Sequence, residues 1–177
     1  CYAGLYKIPI PAVIFNYPNS ITNKANKRIF HDFFNIPLDK KIFLYQGSLT
    51  KGRGIEIILE VFSSELSEVI VFMGYGELEE TIKNYSANYN NILFHKAVAP
   101  LQLYSYTSSA DYGIHMIPDT CLNHYYCMPN KLFEYLQAGL PVIVSNMHDM
   151  SNFVNTNKLG KVAECTTESL KKAVHEI

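Results

Sequence analysis

Residues 128–145 read MPNKLFEYLQAGLPVIVS, a stretch that predicts one amphipathic helix, a tight turn and a buried strand. Pro129 has the φ angle of a first helical turn. One face of the helix carries an apolar stripe, formed by Leu132, Phe133 and Leu136. Gly139 suits the position just after a helix, and Pro141 blocks continuation of the helix. The predicted helix is therefore short and sharply bounded.

The start of this helix has the chemistry of an anion site. Unpaired backbone N–H groups and the positive end of the helix dipole meet there, and Asn130 and Lys131 add a donor and a charge. Such an end suits a phosphate. Glu134 follows one turn later on nearly the same face, where its carboxylate could accept two hydrogen bonds from a neighbouring diol such as a ribose.

The stretch resembles the donor-binding motif of the retaining family-4 glycosyltransferases, which have the GT-B architecture of two Rossmann-like domains. That motif consists of a Glu, seven intervening residues, a second Glu and a Gly-x-Pro-Val turn. Glu134 and residues 139–143 match its second half, whereas Tyr126 stands where the first Glu would fall. A branch of the family with Pro-Asn-Lys-Leu-Phe-Glu-Tyr is similar here and commonly lacks the first acid. The resemblance implies a donor site whose usual first acidic contact is absent.

Composition sets the scale of the molecule. With 177 residues, 48% of them hydrophobic and 18% charged, the chain is long enough for one globular domain, about half of a two-domain glycosyltransferase. Fifteen Lys and Arg against sixteen Asp and Glu give a net charge of −1. This balance gives no electrostatic case for nucleic-acid binding and leaves a weak peripheral membrane contact open. Four cysteines without a Cys-x-x-Cys pair favour reduced thiols and a cytoplasmic protein.

The first part of the chain is expected to be a connection. Residues 1–20 are interpreted as an interdomain linker and the end of a missing N-terminal domain, and residues 21–177 as the nucleotide-sugar-binding domain. Asn16 to Ser20 is dense in turn residues, and family-4 enzymes carry an Ile-Pro-Asn-x-Pro-like segment where the chain crosses between domains. A start without Met and an end inside an apparent helix indicate an excised domain. No apolar run approaches the roughly 20 residues of a membrane span.

A glycine-rich loop follows the first predicted strand, residues 41–46. Residues 47–54 contain three glycines with Lys51 and Arg53, and a helical stripe begins at Ile55. Such a loop can wrap an anion, but by itself it is equally well a solvated turn. In the resembling family two cations here bind the donor diphosphate. Aligned from Gly47, the second cation falls at Arg53 and the first at Ser48, a departure for which Lys51 would substitute.

Two further strand ends are candidates for the nucleoside side of the site. Gly74-x-Gly76 follows the strand at 69–73, but no third glycine stands at Glu79, so the dinucleotide fingerprint fails. The resemblance places Gly74 near the nucleotide base. After the strand at 92–94, it implies that His95 and Lys96 line the pocket through their main chain.

The segment after residue 110 contains polar residues whose ordinary interpretation is structural. Asp111 is expected to be structural, and His115, on an apolar strand, to be a satisfied core side chain. Residues 117–127 are expected to form a loop over the donor site. Three soft ligands in this loop are too few for zinc, so aromatic packing over a sugar or a neighbouring loop is favoured over a metal site; they are Cys121, His124 and Cys127.

The remaining segments complete an alternating pattern. Helices are predicted over residues 24–34, from Pro100 and over residues 150–154, a last strand over 160–163, and a capped final helix from Thr166. Six or seven short strands alternate with helices, which predicts an α/β fold: a doubly wound, mostly parallel, Rossmann-like sheet, the C-terminal half of a GT-B enzyme. Ligands bind such sheets beyond the carboxyl ends of the strands, where the candidate loops would meet.

The resemblance implies a hexosyltransferase-type enzyme that moves a sugar from a nucleotide-diphosphate sugar to a glycan or lipid-linked acceptor with retention. Arg53 and Lys131 would neutralise the leaving diphosphate and Glu134 would fix the ribose, without metal or other cofactor. The expected substrate-binding residues are Gly47, Ser48, Lys51, Gly74, His95, Lys96, Tyr126 and Asn130. The missing N-terminal domain is the expected partner, so the isolated chain would bind donor weakly and not catalyse transfer. The intact enzyme would be cytoplasmic, and its contact with the inner face of the membrane stays open.

Three alternatives differ in their demands on the site. A nucleotide-sugar epimerase or phosphorylase shares the architecture, but an epimerase needs acids where this chain has Tyr126 and other neutral groups. A non-catalytic nucleotide- or protein-binding module stays open, because Glu134 could merely pair with Lys131. An NAD-dependent oxidoreductase is weakened by the failed glycine fingerprint. The sequence leaves the sugar, the base and the acceptor open.

Overall fold

The computed structural model describes residues 2–10, 12, 28–64 and 66–177. The predicted turn segment at Asn16 to Ser20 and the domain boundary after residue 20 lie outside these residues. Of the helix predicted over residues 24–34, the described part is a single short helix, Ile29–Phe34.

A sheet of six parallel strands forms the centre of the molecule. The strands are β1 (Ile42–Ser48), β2 (Val69–Tyr75), β3 (Ile92–Lys96), β4 (Tyr112–His115), β5 (Val142–Ser145) and β6 (Gly160–Ala163). They are ordered β3-β2-β1-β4-β5-β6, and each neighbouring pair is parallel. The doubly wound, mostly parallel α/β fold is therefore confirmed. The strand order reverses between β1 and β4, which is where ligands bind such sheets.

Helices cover both faces of the sheet. The helices of the described residues are α1 (Tyr2–Tyr6), α2 (Ile29–Phe34), α3 (Ile55–Phe62), α4 (Glu79–Asn88), α5 (Pro100–Thr107), α6 (Leu122–Tyr125), α7 (Asn130–Gln137), α8 (His148–Asn157) and α9 (Thr167–Glu176). One core cluster joins the sheet to α3, α4 and α9, and the other joins it to α2, α5, α7 and α8. In β1, Phe43 and Tyr45 belong to the first cluster and Ile42 and Leu44 to the second. The same alternation turns Gln46 toward α7.

Three strands are longer than the sequence predicted, and one of them is β3, which continues through His95 and Lys96. β1 continues through Gly47 and Ser48, and β2 continues through Gly74 and Tyr75, because Gly47 pairs with Gly74 in register. A Cβ added at Gly74 would collide with the Gly47 carbonyl. Glycine at position 74 therefore lets the two strand ends lie close together.

The central stretch folds largely as predicted. Gly139, with φ +75°, follows the C-cap of α7 and lies in the left-handed region that favours glycine. Pro129, predicted inside the first helical turn, instead precedes it as an extended residue with ψ 145°. The predicted loop at 117–127 contains the short helix α6. The predicted cap of the last helix is confirmed, since Ser169 N donates to Thr166 Oγ1 at 3.3 Å.

Candidate functional site

The end of β1 and the start of α7 meet at the carboxyl edge of the sheet, the edge at which all six strands end. Tyr135, fully buried, fixes this contact: its hydroxyl oxygen accepts a hydrogen bond from Gln46 N at 3.0 Å and donates to Ile114 O at 3.4 Å. Any Cβ at Gly113 would collide with the Tyr135 ring. α7 is thus docked closely at the reversal of strand order.

A chain of hydrogen bonds orients the Glu134 carboxylate. Oε2 of Glu134 accepts from Gln46 Nε2 at 2.6 Å, and Gln46 Oε1 accepts from Thr107 Oγ1 at 2.7 Å. Only 1% of Gln46 is exposed, so this amide has no water to exchange with. Gln46 was not identified as a site residue from the sequence. The pattern that could have identified it is a single amide residue at the end of an otherwise apolar predicted strand. A buried, fully paired amide of this kind holds its charged neighbour in one orientation.

The Lys131 side chain, on α7, also packs against the end of β1. Its Nζ lies 3.9 Å from the centroid of the Tyr45 ring, and its Cε and Nζ lie 3.5 Å from where a Cβ on Gly47 would stand. Burial, reinforced by the charge of Arg53 and opposed by Glu134, lowers the pKa of Lys131 to about 7. Within the described part of the chain no ion pair joins Lys131 to Glu134. Each of the two charged groups is therefore held by its own partner, and they form no ion pair with each other.

Arg53 lies on the loop between β1 and α3. The loop packs against the end of β4, because a Cβ on Gly54 would meet the Met116 backbone. The Arg53 side chain is exposed, and its positive charge lowers the pKa values of Lys131 and His115. Arg53 and Lys131 are thus near enough for their charges to interact, and their role as diphosphate ligands stays a prediction.

Two further predicted residues, Ser48 at the end of β1 and Lys51 on the loop, face solvent. Ser48 is exposed, and its hydroxyl donates to Thr50 Oγ1 at 3.4 Å. Lys51 is exposed and its backbone N–H donates to Glu77 Oε1 at 2.8 Å. Lys51 stays a predicted substitute for the cation missing at Ser48.

The predicted nucleoside side lies at the ends of β2 and β3. Gly74 is buried in the sheet and its carbonyl accepts from Ala97 N at 3.0 Å. The His95 ring is buried, donates from Nδ1 to Lys96 O at 2.6 Å and packs against Phe33 with centroids 4.9 Å apart. A cavity of about 430 Å³ opens here, lined by His95, Lys96 and seven further residues. A larger cavity of about 600 Å³ lies at the opposite edge of the sheet and contains none of the predicted site residues.

His115 differs from its prediction. It is buried, with 2% exposed, but in the described structure neither ring nitrogen has a hydrogen-bond partner. The expectation of a satisfied core histidine was wrong in this respect. Burial, with the positive charges of Lys131 and Arg53, holds the pKa of His115 well below its usual value. The site therefore contains a neutral imidazole beside two cations.

The segment before α7 forms an ordered loop. Tyr126 follows α6, is half exposed and packs edge-on against Tyr125 at 4.8 Å, while Asn130 is the first residue of α7. The His124 Nδ1 donates to Pro118 O at 2.9 Å, which ties the loop to itself. Three cysteines are free thiols: Cys121, Cys127 and Cys165.

No group of three His, Cys, Asp or Glu side chains in the described part of the chain is arranged to hold a metal ion. None of its helices combines the length and apolar character that crossing a bilayer requires.

The sequence matches one family model. Residues 40–177, more than three quarters of the chain, match the family described as glycosyl transferases group 1. No curated protein matches the sequence significantly.

Solved structures share the fold. WaaG, a glycosyltransferase involved in lipopolysaccharide biosynthesis, superposes with a TM-score of 0.64 at 17% identity, over 87% of this chain and 43% of WaaG. HepE of Anabaena, in complex with UDP-glucose, gives 0.66 at 12% identity, over 84% of this chain and 42% of HepE. Sucrose-phosphate synthase of Thermosynechococcus elongatus gives 0.61 at 20%, over 83% and 38%. This chain therefore spans about two fifths of the length of each.

Proposed function

The chain belongs to the glycosyl transferases of group 1, and we propose that it is the C-terminal, donor-binding half of a retaining enzyme of GT-B architecture. The donor is a nucleotide-diphosphate sugar. Support comes from the fold shared with WaaG and from HepE, whose structure contains UDP-glucose.

One observation carries this proposal: Lys131 and Glu134 are held one turn apart on α7, by different partners, at the end of β1. Lys131 rests on the Tyr45 ring and Glu134 on Gln46, with Arg53 close enough to lower the Lys131 pKa. A purely structural pair would have used the two charges to neutralise each other. Separate supports leave a cationic and an anionic group for one ligand.

The roles follow from the chemistry of a nucleotide sugar. Lys131 and Arg53, with N–H groups near Asn130, bind the diphosphate, while Glu134 accepts hydrogen bonds from the ribose hydroxyls. Gly47, Ser48 and Lys51 line the phosphate side, Gly74, His95 and Lys96 the base side, and Tyr126 the sugar side. In transfer, the bond from the anomeric carbon to the diphosphate oxygen breaks, and the diphosphate takes the electron pair. Fixed cations stabilise that developing charge and lower the barrier, so no metal or other cofactor is required.

The complete reaction needs a second half. The acceptor, a glycan or lipid-linked sugar, passes its hydroxyl proton to the departing diphosphate oxygen. Its own oxygen bonds to the anomeric carbon on the face that the diphosphate leaves, which retains the configuration. We place the acceptor site on an N-terminal domain of the same enzyme, in the cytoplasm or at the inner face of the membrane. The intact enzyme would transfer a hexose. The chain alone is therefore expected to bind the donor weakly and to be inactive.

Calorimetric titration of the purified chain with UDP, GDP and ADP, each with and without EDTA, tests the proposal. We expect saturable binding of one nucleotide that EDTA does not change, and roughly 100-fold or greater loss of affinity in the double variant Arg53→Ala with Glu134→Gln. Glu80→Gln with Lys172→Ala, a pair of exposed charges on other helices, serves as the matched control and is expected to bind like the parent. Equal binding by the parent and the site variant would refute the assignment.

A further inference from the structure

Three rings form a partly exposed corner, of which the donor site described above uses only Tyr126. Tyr125 and Tyr126 at the end of α6 meet His148 at the start of α8. Their ring centroids lie 4.8 Å apart for the two tyrosines, 5.4 Å for Tyr125 and His148, and 5.5 Å for Tyr126 and His148. We call these three residues the aromatic corner.

Packing among the rings leaves much of the corner open. Tyr126 remains 52% exposed and the His148 side chain 48% exposed. Rings that served only to close a core would be covered, as Tyr45 and Tyr135 are. The corner instead leaves about half of the Tyr126 and His148 side chains open to solvent.

Hydrogen bonds keep the corner in shape. His148 Nδ1 donates to Asp149 Oδ1 at 2.8 Å, which assigns the proton to Nδ1 and leaves Nε2 as an acceptor in the neutral ring. The loop that carries the tyrosines is fixed by the His124 hydrogen bond to Pro118 O. An aromatic face is thus combined with an imidazole nitrogen and a carboxylate, all on the surface.

The position of the corner follows from the order of the strands. α6 lies on the connection from β4 to α7, and α8 follows β5, so the corner stands at the carboxyl edge on the β4 and β5 side of Lys131. The cavity at His95 and Lys96 lies on the other side, at the end of β3. A nucleotide sugar with its base toward β3 and its diphosphate on Lys131 therefore extends its sugar toward the aromatic corner.

We propose that the aromatic corner binds the hexose of the nucleotide sugar, whose C–H face stacks on Tyr126 and His148 while Asp149 and His148 Nε2 receive hydrogen bonds from its hydroxyls. The electron-rich face of an aromatic ring attracts the positive C–H edge of a pyranose. This inference rests on the proposed function, and it gives the site a sugar contact that does not need an acid at position 126. It adds His148 and Asp149 to the residues predicted from the sequence.

The test compares each nucleotide with its sugar conjugate. Calorimetry of UDP against UDP-glucose, GDP against GDP-mannose and ADP against ADP-glucose measures what the sugar adds. We expect Tyr126→Ala and His148→Ala to weaken binding of the conjugate about twofold to tenfold while leaving the free nucleotide unchanged. Tyr126→Phe keeps the ring and is expected to bind like the parent. Tyr89→Ala, which removes an equally paired tyrosine remote from this edge, is the matched control.

A second measurement separates this inference from the proposed function. Saturation-transfer NMR with methyl α-glucoside, methyl α-mannoside and methyl α-galactoside needs no nucleotide. A glycoside signal that disappears in Tyr126→Ala and persists in Tyr89→Ala supports the corner even if no nucleotide binds, in which case only the proposed function fails. Nucleotide binding without any sugar contribution sensitive to Tyr126 or His148, and no glycoside signal, overturns the inference and leaves the donor site standing.

Discussion

Polar side chains at the two edges of the sheet differ in their partners: those at the start of the strands are paired within the chain, whereas two buried groups at the other edge, His115 and Lys131, are not paired among the described residues. At the edge where the strands begin, Asn91 Nδ2 donates to three carbonyls, of Phe62, Leu66 and Glu68, at 2.8 to 3.2 Å. Asp111, predicted to be structural, accepts from Ile42 N at 2.9 Å at the same edge. At the edge where the strands end, His115 has no partner in the described structure and Lys131 rests on an aromatic ring.

This difference suggests that polar groups at the first edge serve the stability of the fold and that those at the second edge serve ligand binding. Polar groups at the beginning of the strands complete the backbone hydrogen bonding of loops, which stabilises the fold. At the end of the strands, the buried amine of Lys131 is desolvated at a cost that a bound anion would offset. Substitutions at the first edge should therefore change stability alone, and those at the second should change mainly affinity.

The largest expected effect separates affinity from stability at one residue. Lys131→Met should reduce nucleotide affinity about 100-fold, because a desolvated charge facing a phosphate is lost. The same variant should melt about 2 to 4 °C higher, since a buried cation without a carboxylate partner is replaced by an apolar group. Calorimetry and thermal denaturation at pH 7 check both, with the exposed Lys172→Met as control. A fall in both affinity and melting temperature would contradict the contrast between the edges.

The opposite edge should give the reverse result. Asn91→Ala leaves three carbonyls without their donor and should destabilise the fold by about 2 kcal/mol. The melting temperature should drop by roughly 4 to 8 °C while nucleotide affinity stays unchanged. Asn152→Ala, an exposed asparagine of α8, controls for the loss of an amide. Weakened nucleotide binding at temperatures where the variant is fully folded would show that the edges are not independent.

The support of Glu134 is expected to have a smaller effect. Gln46→Met removes the donor to Glu134 Oε2, so the carboxylate loses its fixed orientation and affinity should fall roughly tenfold. A cycle with Glu134→Gln measures whether the two residues act through each other. The combined variant should lose little beyond Glu134→Gln alone. Fully additive losses would mean that Gln46 acts on the ligand independently of Glu134.

The smallest expected effect is a pH dependence. Because the pKa of Lys131 is about 7 in the free chain, binding of a diphosphate takes up a proton, and affinity should fall as pH rises through 7. A nucleotide sugar is the right ligand, since it lacks the terminal phosphate ionisation near pH 6. From pH 6 to pH 8 the loss should be at most about tenfold, since the protonated fraction of Lys131 falls by that factor. Lys131→Arg, which stays charged, should abolish the dependence; the same slope in that variant would assign it to another group.

Folding stability should show the opposite sign. The pKa of Lys131 is lower in the folded chain than its ordinary value of 10.5, so the unfolded state binds more protons between these values. The contribution of this group therefore makes the fold more stable as pH rises above 7.

Local patterns predicted most of the fold. Alternating strands and helices, the glycine after α7 and the cap at Thr166 depend on residues within one turn of each other, and each is present. The ends of β1 and β2 were misjudged because Gly47 and Gly74 stop neither strand when they face each other. Glycine ends a strand by local preference, but pairing across the sheet overrides that preference.

The site was predicted only in part for the same reason. Motif and helix position mark Lys131, Glu134 and Arg53 as candidates in the sequence, whereas Gln46 became a candidate only in the structure. Its partner is 88 residues away in the sequence, and no local pattern connects the two. The unpaired nitrogens of His115 are likewise a property of its surroundings in three dimensions.

That 88-residue separation also bears on how the chain reaches its native state. The hydrogen bond between Gln46 and Glu134 closes only after β1, β4 and α7 have come together, so any partly folded species that pairs only β1, β2 and β3 lacks it. Contacts of such long sequence separation form late because loop closure must precede them. During refolding, the appearance of nucleotide binding should therefore lag behind the appearance of helical and strand structure. A bound nucleotide would then report the completed domain.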